Sequence, residues 1–114
     1  MVVDNNAIGP TNGFNCEVVV GNRETFNVWD ISGDPLLRSY WFNYINNIYA
    51  YVVIYVINVN EPIERLRENK RVLQSLMKEY RLQESNLVVI FNNSQDKKYP
   101  TEPHNELPFK MDQL

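Results

Sequence analysis

Apolar and polar side chains alternate along the segment 14–20, where Phe14, Cys16, Val18 and Val20 occupy every second position. This period of two is typical of a half-buried β-strand, with Cys16 as a small side chain facing the core. A Gly-Asn pair at 21–22 offers a tight turn, and residues 25–30 return as a second β-rich segment. The pattern therefore predicts a β-hairpin.

The next two segments differ in period. Between residues 36 and 47 the apolar and aromatic positions recur every three or four residues, which predicts a helix whose start is broken by Pro35. Residues 50–57 read A-Y-V-V-I-Y-V-I. Such a continuous apolar run is typical of a central parallel strand that is buried on both faces.

A second helix should follow this strand. Asn60 is a candidate N-cap, and Pro62 would lie in the first turn, where its missing N–H costs little. One apolar stripe along the helix is formed by Ile63, Leu66, Leu73, Leu76, Met77 and Tyr80. The helix face opposite this stripe is charged, which predicts a solvated surface rather than a binding site.

The remaining sequence supplies one more strand and a tail. Residues 86–91 predict a buried strand, so the expected order of elements is β, β, α, β, α, β. Residues 97–114 are rich in proline and charge and have no periodicity, which favours an irregular or disordered tail. We therefore expect a folded domain over 1–96 and a tail over 97–114.

Composition excludes several classes of function. The 114 residues are 44% hydrophobic and 22% charged, as in an ordinary single soluble domain. A net charge of −3 offers no basic field for nucleic acid, and the lone Cys16 cannot form an internal disulfide, which fits a reducing compartment. No apolar run reaches the roughly 20 residues that cross a bilayer. His104, the single histidine, has no nucleophile or metal cluster around it in sequence.

Three motifs in order carry a resemblance to a known family. The first is P-T-N-G-F-N at 10–15, the second F-N-V-W-D-I-S-G-D-P-L-L-R-S-Y-W at 26–41, and the third V-I-F-N-N-S-Q-D at 89–96. They resemble P-T-x-G-F-N, F-x-V-W-D-x-G-G-Q-x-x-x-R-x-x-W and V-x-F-x-N-K-Q-D of the ADP-ribosylation-factor (Arf/Arl/Sar) small GTPases. The resemblance implies an α/β, P-loop-GTPase-like (Ras-like) sheet flanked by helices.

The resemblance covers the middle of the family's domain. The sequence contains no G-x-x-x-x-G-K-S/T phosphate loop, and we expect the first strand, first helix, last strand and last helix to be missing as well. In the family the first strand lies between the hairpin and the strand at 50–57. Without it these strands either pair directly or stay about 10 Å apart, and an apolar sheet face is left bare. Either the chain rearranges, or a partner covers that face, or the chain is a fragment.

The resemblance also implies nucleotide-binding positions for GTP or GDP with magnesium. Thr11 and Asp30 match residues near the magnesium ion, and Gly33 matches the glycine at the γ-phosphate. Asn93 and Asp96 match the guanine-reading positions. The alternatives are turn chemistry for Thr11 and a turn or capping role for Asp30.

Several positions depart from the family pattern. Asp34 stands where the family has the glutamine that orients the attacking water, and a carboxylate only accepts hydrogen bonds and adds negative charge. Ser32 replaces a glycine and restricts a loop that must flex. Ser94 replaces the lysine whose stem lies along the base. We expect poor hydrolysis and weak guanine selectivity.

An aromatic triad is retained. Phe14, Trp29 and Tyr44 match the three aromatics that the family exposes to effectors, and large aromatics make good interface anchors. The alternative is that all three belong to the core. Position 2 is Val2 rather than the glycine that many relatives myristoylate, so we expect no such anchor.

Three hypotheses follow. The first is an Arf-like small GTPase relative in vesicle-mediated transport, in the cytoplasm or peripheral to internal membranes through its partners, with weak or no nucleotide binding and no efficient hydrolysis. The second is a nucleotide-independent module that binds Arf effectors or regulators. The third is a gene fragment without a function of its own.

Overall fold

The computed structural model describes residues 10–93 and has an α/β fold, as the sequence predicts. The chain divides into two compact units, residues 1–48 and 49–114, and we describe each by itself. The described part holds four strands in two two-stranded sheets. The fold class is consistent with the middle of a Ras-like GTPase domain.

The first unit is built on the predicted hairpin. Strands β1 (Phe14–Val20) and β2 (Thr25–Ile31) pair antiparallel, from Phe14 opposite Ile31 to Val20 opposite Thr25. The amide of Gly21 donates to the carbonyl of Glu24 at 2.7 Å and closes the turn. The hairpin is therefore confirmed, with β2 one residue longer than expected.

The expected burial of this hairpin was wrong. Every residue of β1 is exposed, and Cys16 is an exposed free thiol rather than a core side chain. Two strands have two faces to cover, and the described residues of this unit offer one short α-helix besides the hairpin. The alternation of β1 is real, but residues 10–48 provide no layer that buries its apolar side.

The first helix is shorter than predicted. A 3-10 turn spans Arg38–Tyr40, and helix α1 spans Trp41–Asn47, so the predicted start at residue 36 was wrong. The carboxylate of Asp34 accepts from the amide of Leu36 at 2.9 Å, and the Asp34 carbonyl accepts from Leu37 at 2.8 Å. This local turn around Pro35 competes with helical hydrogen bonding, so the α-helix begins only at Trp41.

The second unit contains a parallel β-α-β arrangement. Strands β3 (Val52–Asn58) and β4 (Asn86–Asn92) pair in parallel, from Val52 opposite Asn86 to Asn58 opposite Asn92. Helix α2 (Ile63–Lys78) connects them, followed by a 3-10 turn at Tyr80–Leu82. Parallel strands need such a crossover.

The core of the second unit lies on one face of this sheet. Tyr55 and Ile57 of β3 are buried, and the hydroxyl of Tyr55 donates to Oδ1 of Asn69 in α2 at 2.8 Å. Leu66, Leu73 and Leu76 of α2 are buried, as the predicted stripe requires. The stripe does not extend further, because Met77 is exposed and Tyr80 lies exposed in the 3-10 turn.

The expectation that β3 is buried on both faces was wrong. Its other face is exposed at Val52, Ile54 and Val56, and so are the neighbouring Val88 and Ile90 of β4. The continuous apolar run at residues 50–57 therefore corresponds to strand β3, which α2 covers on one face and which is exposed on the other. The expectation of a bare apolar sheet face is confirmed.

The predicted N-cap was also wrong. Pro62, not Asn60, occupies the N-cap position of α2, and its carbonyl accepts from the amides of Arg65 and Leu66 at 2.9 and 3.2 Å. Proline has no side-chain oxygen to cap the helix. Asn60 instead donates from its side-chain amide to Oδ1 of Asn93 at 2.8 Å.

Within residues 10–93, we find no helix long and apolar enough to cross a membrane.

Candidate functional site

The three predicted partner-binding aromatics meet in one cluster of the first unit. Phe14 and Trp29 lie on the same face of the hairpin, because Trp29 is opposite Cys16, two residues along from Phe14. Their rings stack with centroids 5.5 Å apart and an interplanar angle of 28°. Tyr44 reaches them from α1, with its ring 5.3 Å from that of Phe14. These separations are typical of interacting aromatic pairs.

This aromatic cluster (Phe14, Trp29 and Tyr44) is open to solvent. Phe14 is 50% exposed and Trp29 38%, while Tyr44 is half-buried. A cluster in the core would have lost most of this surface. The geometry therefore holds three rings together and leaves a large apolar area available for contact.

The two predicted magnesium ligands also lie together. The hydroxyl of Thr11 donates to Oδ2 of Asp30 at 2.9 Å, with both side chains at the surface. Asp30 is near the end of β2, and Thr11 precedes β1, so the hairpin brings them together. Sequence reasoning predicted both residues but did not predict that they bond to each other.

A network around Ser32 fixes the loop after β2. Ser32 is buried, its amide donates to the carbonyl of Gly13 at 2.9 Å, and its hydroxyl accepts from the amide of Asp34 at 3.2 Å. The indole N–H of Trp41 donates to the Ser32 carbonyl at 2.8 Å. Gly13 has φ +75°, a conformation that favours glycine. Only the bond that the hydroxyl accepts depends on serine, because the other two use the backbone amide and carbonyl that a glycine would also supply.

Sequence reasoning missed two residues of this network. Arg38 donates from Nε to the carbonyl of Gly33 at 3.2 Å and lies over the ring of Trp41, 5.9 Å from its centroid. Trp41 anchors Ser32 as described above. The R-x-x-W spacing of Arg38 and Trp41 could have predicted their contact, since side chains three residues apart lie on the same face of a helical turn.

Gly33 and Asp34 lie in this loop. A Cβ added to Gly33 would have no heavy atom within 4 Å among the described residues, so no close contact explains the glycine in this state. The carboxylate of Asp34 is used by its own turn, where it accepts from Leu36. The position that matches the water-orienting glutamine therefore has a structural role here.

The predicted base-reading residues belong to the second unit. Asn93 follows β4 and accepts from the side-chain amide of Asn60 at 2.8 Å. Asp96 lies outside the described residues, as do Ser94, His104 and the predicted tail. Asn60 and Asn93 follow the carboxyl ends of two adjacent parallel strands, the edge of a sheet where α/β folds commonly bind ligands.

Charged groups elsewhere in the second unit form surface pairs. Arg65 and Glu68 of α2 approach to 3.2 Å and are both accessible, which fits the predicted solvated face. The hydroxyl of Tyr49 donates to Glu84 at 3.4 Å, and the negative charge of Glu84 raises the pKa of Tyr49 above its usual value. These contacts do not involve the predicted site residues.

The donor set fits magnesium in part. Thr11 and Asp30 are oxygen ligands of the kind that magnesium prefers. Within residues 10–93, however, no group of three or more His, Cys, Asp or Glu side chains could hold a metal ion. Magnesium in nucleotide sites takes much of its coordination from phosphate oxygens and water, so these two residues suit it only if the phosphates are themselves held.

Comparison with known proteins decides the family. The model of the ADP-ribosylation factor family matches residues 2–110. The chain belongs to this family. It is 35% identical over 89 residues to "ADP-ribosylation factor-like protein 2" of Arabidopsis thaliana, covering 78% of this chain and 46% of that protein. It is 38% identical over 93 residues to the protein of the same name from Dictyostelium discoideum, covering 82% and 48%.

Membership of the ADP-ribosylation factor family makes the chain a small GTPase relative. The family's GTPases bind guanine nucleotide and magnesium and act through effector and regulator proteins. The chain spans about half the length of the curated relatives it matches.

Proposed function

We propose that the chain acts through protein binding, with the aromatic cluster as its contact surface for effectors or regulators of the Arf type. The observation that carries this proposal is the ring contact of Phe14 with Trp29 and Tyr44 in a cluster that remains accessible. Contact surfaces of this kind concentrate binding energy in a few large aromatics. The cellular role is regulation of vesicle-mediated transport, in the cytoplasm and at internal membranes reached through partners.

The 114-residue chain holds GTP weakly. Its sequence contains no phosphate loop, whose backbone N–H groups and lysine supply most of the charge-assisted bonds to the β- and γ-phosphates. The hydroxyl of Thr11 already donates to Asp30, and Asn93 already accepts from Asn60. Without the phosphate loop, the contacts that Thr11, Asp30 and Gly33 could make with GTP support a dissociation constant no tighter than about millimolar.

Hydrolysis is inefficient for a second reason. Asp34 cannot donate toward a transferring phosphoryl group when it is ionised, and its carboxylate is held by the Leu36 amide. Partner binding through the aromatic cluster is therefore independent of a GTP cycle in this chain.

Two measurements test the proposal. Calorimetric titration with GTP and with GDP, each with magnesium, should give only a weak or undetectable signal, and a micromolar dissociation constant would contradict weak binding. Purified effector and regulator domains of Arf-family GTPases should bind the chain equally well with and without added GTP. Loss of that binding in Trp29→Ala, with folding intact by circular dichroism, supports the cluster as the surface.

The matched control is Phe26→Ala. Phe26 is 52% exposed, close to the 50% of Phe14, and lies opposite Val19 on the other face of the same hairpin. Equal loss of binding in Phe14→Ala and Phe26→Ala would show that the hairpin as a whole matters and not the aromatic face.

A further inference from the structure

Two exposed tyrosines lie just before and at the start of the second unit's first strand. Tyr49 and Tyr51 are 66% and 74% exposed. Their ring centroids lie 5.0 Å apart, and the two ring planes meet at 80°. Rings in this edge-to-face arrangement leave an angle between one face of each ring, and a group placed in that angle contacts both π-systems.

A carboxylate lies beside the two rings. The hydroxyl of Tyr49 donates to Oε2 of Glu84 at 3.4 Å, and the negative charge of Glu84 raises the pKa of Tyr49, so the phenol stays neutral near pH 7. Among residues 10–93, we find no ion pair to Glu84, so its charge is not compensated there. We call Tyr49, Tyr51 and Glu84 the tyrosine–glutamate site.

Hydrogen bonds connect the two segments that carry this site. Ser85, the residue after Glu84, donates from its hydroxyl to the carbonyl of Ala50 at 2.5 Å. The amide of Asn86 donates to the carbonyl of Tyr51 at 2.8 Å. The rings and the carboxylate are therefore attached to one backbone frame, which reduces the ordering that a ligand has to impose.

A neighbouring contact shows which cation suits a tyrosine in this chain. The guanidinium carbon of Arg81 lies 5.2 Å from the ring centroid of Tyr80, and Nε of Arg81 donates to the Tyr80 hydroxyl at 2.7 Å. All arginines of the chain lie within residues 10–93, and none of them lies over the ring of Tyr49 or Tyr51. An arginine at these rings has to come from another molecule.

From these contacts we infer that the tyrosine–glutamate site binds an arginine side chain of a partner polypeptide. The guanidinium lies in the angle between Tyr49 and Tyr51 and donates to the carboxylate of Glu84. A basic partner segment complements the net charge of −3 of this chain. The site belongs to the second unit, uses no residue of the aromatic cluster and goes beyond the proposed function.

The chemistry of the site favours a guanidinium over other cations. Arginine is planar and weakly hydrated, so it can stack on an aromatic ring and donate to a carboxylate at the same time. A lysine ammonium is more strongly hydrated and loses more solvation in the same place. A trimethylated lysine has no N–H and cannot donate to Glu84. Contacts to exposed rings are individually weak, so further residues of the partner segment have to add to the affinity.

Nuclear magnetic resonance titration of the intact, isotope-labelled chain with capped tripeptides tests the inference. Gly-Arg-Gly should produce saturable shifts at Tyr49, Tyr51 and Glu84, with a dissociation constant on the order of 10 mM for one exposed anchor. The matched probes have citrulline, lysine or trimethyl-lysine at the middle position. Citrulline, which has the shape of arginine without its charge, should bind roughly tenfold more weakly, and the other two roughly threefold more weakly.

The informative variants are Tyr51→Leu and Glu84→Gln. Leucine keeps an apolar side chain but removes the ring, and glutamine keeps the shape but removes the charge. Each variant should weaken Gly-Arg-Gly about fivefold. The matched controls are Tyr80→Leu, at an exposed ring that Arg81 already contacts, and Glu64→Gln, at an exposed carboxylate in the first turn of α2. Each control should change affinity less than about twofold.

Salt separates the contribution of the carboxylate from that of the rings. Raising the ionic strength from about 0.05 M to about 0.5 M should weaken binding of Gly-Arg-Gly to the unmodified chain, because screening reduces the attraction to Glu84. The same change should have a smaller effect on Glu84→Gln. Equal salt dependence of both chains would contradict a contact with this carboxylate.

The remaining outcomes decide the identity of the ligand. If the arginine and citrulline tripeptides bind alike, or if the shifts map to other residues, the arginine site is wrong. If trimethyl-lysine binds more tightly than arginine, the site is a methylammonium site and the inference is also wrong. Should Tyr51→Leu fail to fold, Glu84→Gln decides alone. None of these results changes the proposed function, which rests on Phe14, Trp29 and Tyr44.

Discussion

The indole N–H of Trp41 donates to the carbonyl of Ser32 at 2.8 Å, which ties the first residue of α1 to the loop that follows β2. Ser32 is buried, so its carbonyl has little access to water once the indole is removed. The same loop contains Gly33 and Asp34, which are predicted from the sequence to match a nucleotide-binding and a catalytic position of the family. The conformation of this part of the candidate site therefore depends on a residue outside the predicted site.

Trp41→Phe should lower the free energy of unfolding by about 1–2 kcal/mol, because a partly buried carbonyl loses its donor. Chemical denaturation followed by far-ultraviolet circular dichroism measures the change. The control is Tyr40→Phe, an exposed neighbour, which should change stability by less than about 0.5 kcal/mol. Equal stability of both variants would mean that the indole bond contributes nothing.

The glycines at positions 13 and 33 should respond differently to alanine. Gly13→Ala should destabilise the chain by about 1 kcal/mol or more, because φ at this residue is +75°. Gly33→Ala should leave stability within about 0.5 kcal/mol, since the added Cβ meets no heavy atom within 4 Å. Thermal unfolding of the two variants side by side checks the prediction, and a clear loss for Gly33→Ala would contradict it.

Alanine substitution in the aromatic cluster should weaken partner binding more than any other surface change. Phe14→Ala, Trp29→Ala and Tyr44→Ala should each cost about 2 kcal/mol, roughly thirtyfold in affinity. Pull-downs with purified Arf-type effector or regulator domains, followed by affinity measurement, test this. If these variants unfold the chain, the three rings are core residues and the binding surface must lie elsewhere.

Charge reversal on α2 is the comparison for the aromatic variants. The charged face of this helix is expected to remain hydrated in free and bound states, as the accessible pair Arg65–Glu68 indicates. Reversals at Arg65, Lys70 and Lys78 should change affinity less than about twofold. A larger loss would place part of the interface on α2.

Asp34→Gln should not create measurable GTPase activity. A glutamine can orient water, but this is of no use unless the phosphates are held in line. Multiple-turnover phosphate release should equal that of a control without protein, with Asp34→Asn as a second comparison. Release above the control would show that other residues of the chain take the place of the phosphate loop.

The two sides of the β3–β4 sheet should tolerate substitution very differently. Leu73→Ala in α2 should cost about 2–5 kcal/mol, because this side chain is fully buried against the covered face. Ile54→Thr on the bare face should cost less than about 1 kcal/mol, since the residue is exposed and threonine keeps the β-branch. A similar cost for Ile54→Thr would show that something covers this face in solution.

The local elements could be predicted from the sequence because their causes are local. The alternation in β1, the turn at Gly21 and the stripe of α2 depend on neighbours along the chain, and the structure has each of them within a few residues. The motifs around Thr11, Asp30 and Asn93 were sufficient to indicate the family, since three short motifs in the family's order can be recognised from the sequence without a structure. The hydrogen bond from the Trp41 indole to the Ser32 carbonyl was not predicted, because the two groups are nine residues apart and meet only when the loop between them is folded.

Which faces of the strands are buried was decided by the tertiary structure. The sequence by itself determined that Val52, Ile54 and Val56 form a strand, and it established the family of the chain. The resemblance led us to expect a bare apolar sheet face, but the strands' own residues could not show that this face is the one with Val52, Ile54 and Val56, or that β1 is exposed, because burial depends on which layers pack against a strand. Likewise the sequence named Phe14, Trp29 and Tyr44, but only the register of the hairpin and the position of α1 brought their rings into contact while leaving them open to solvent.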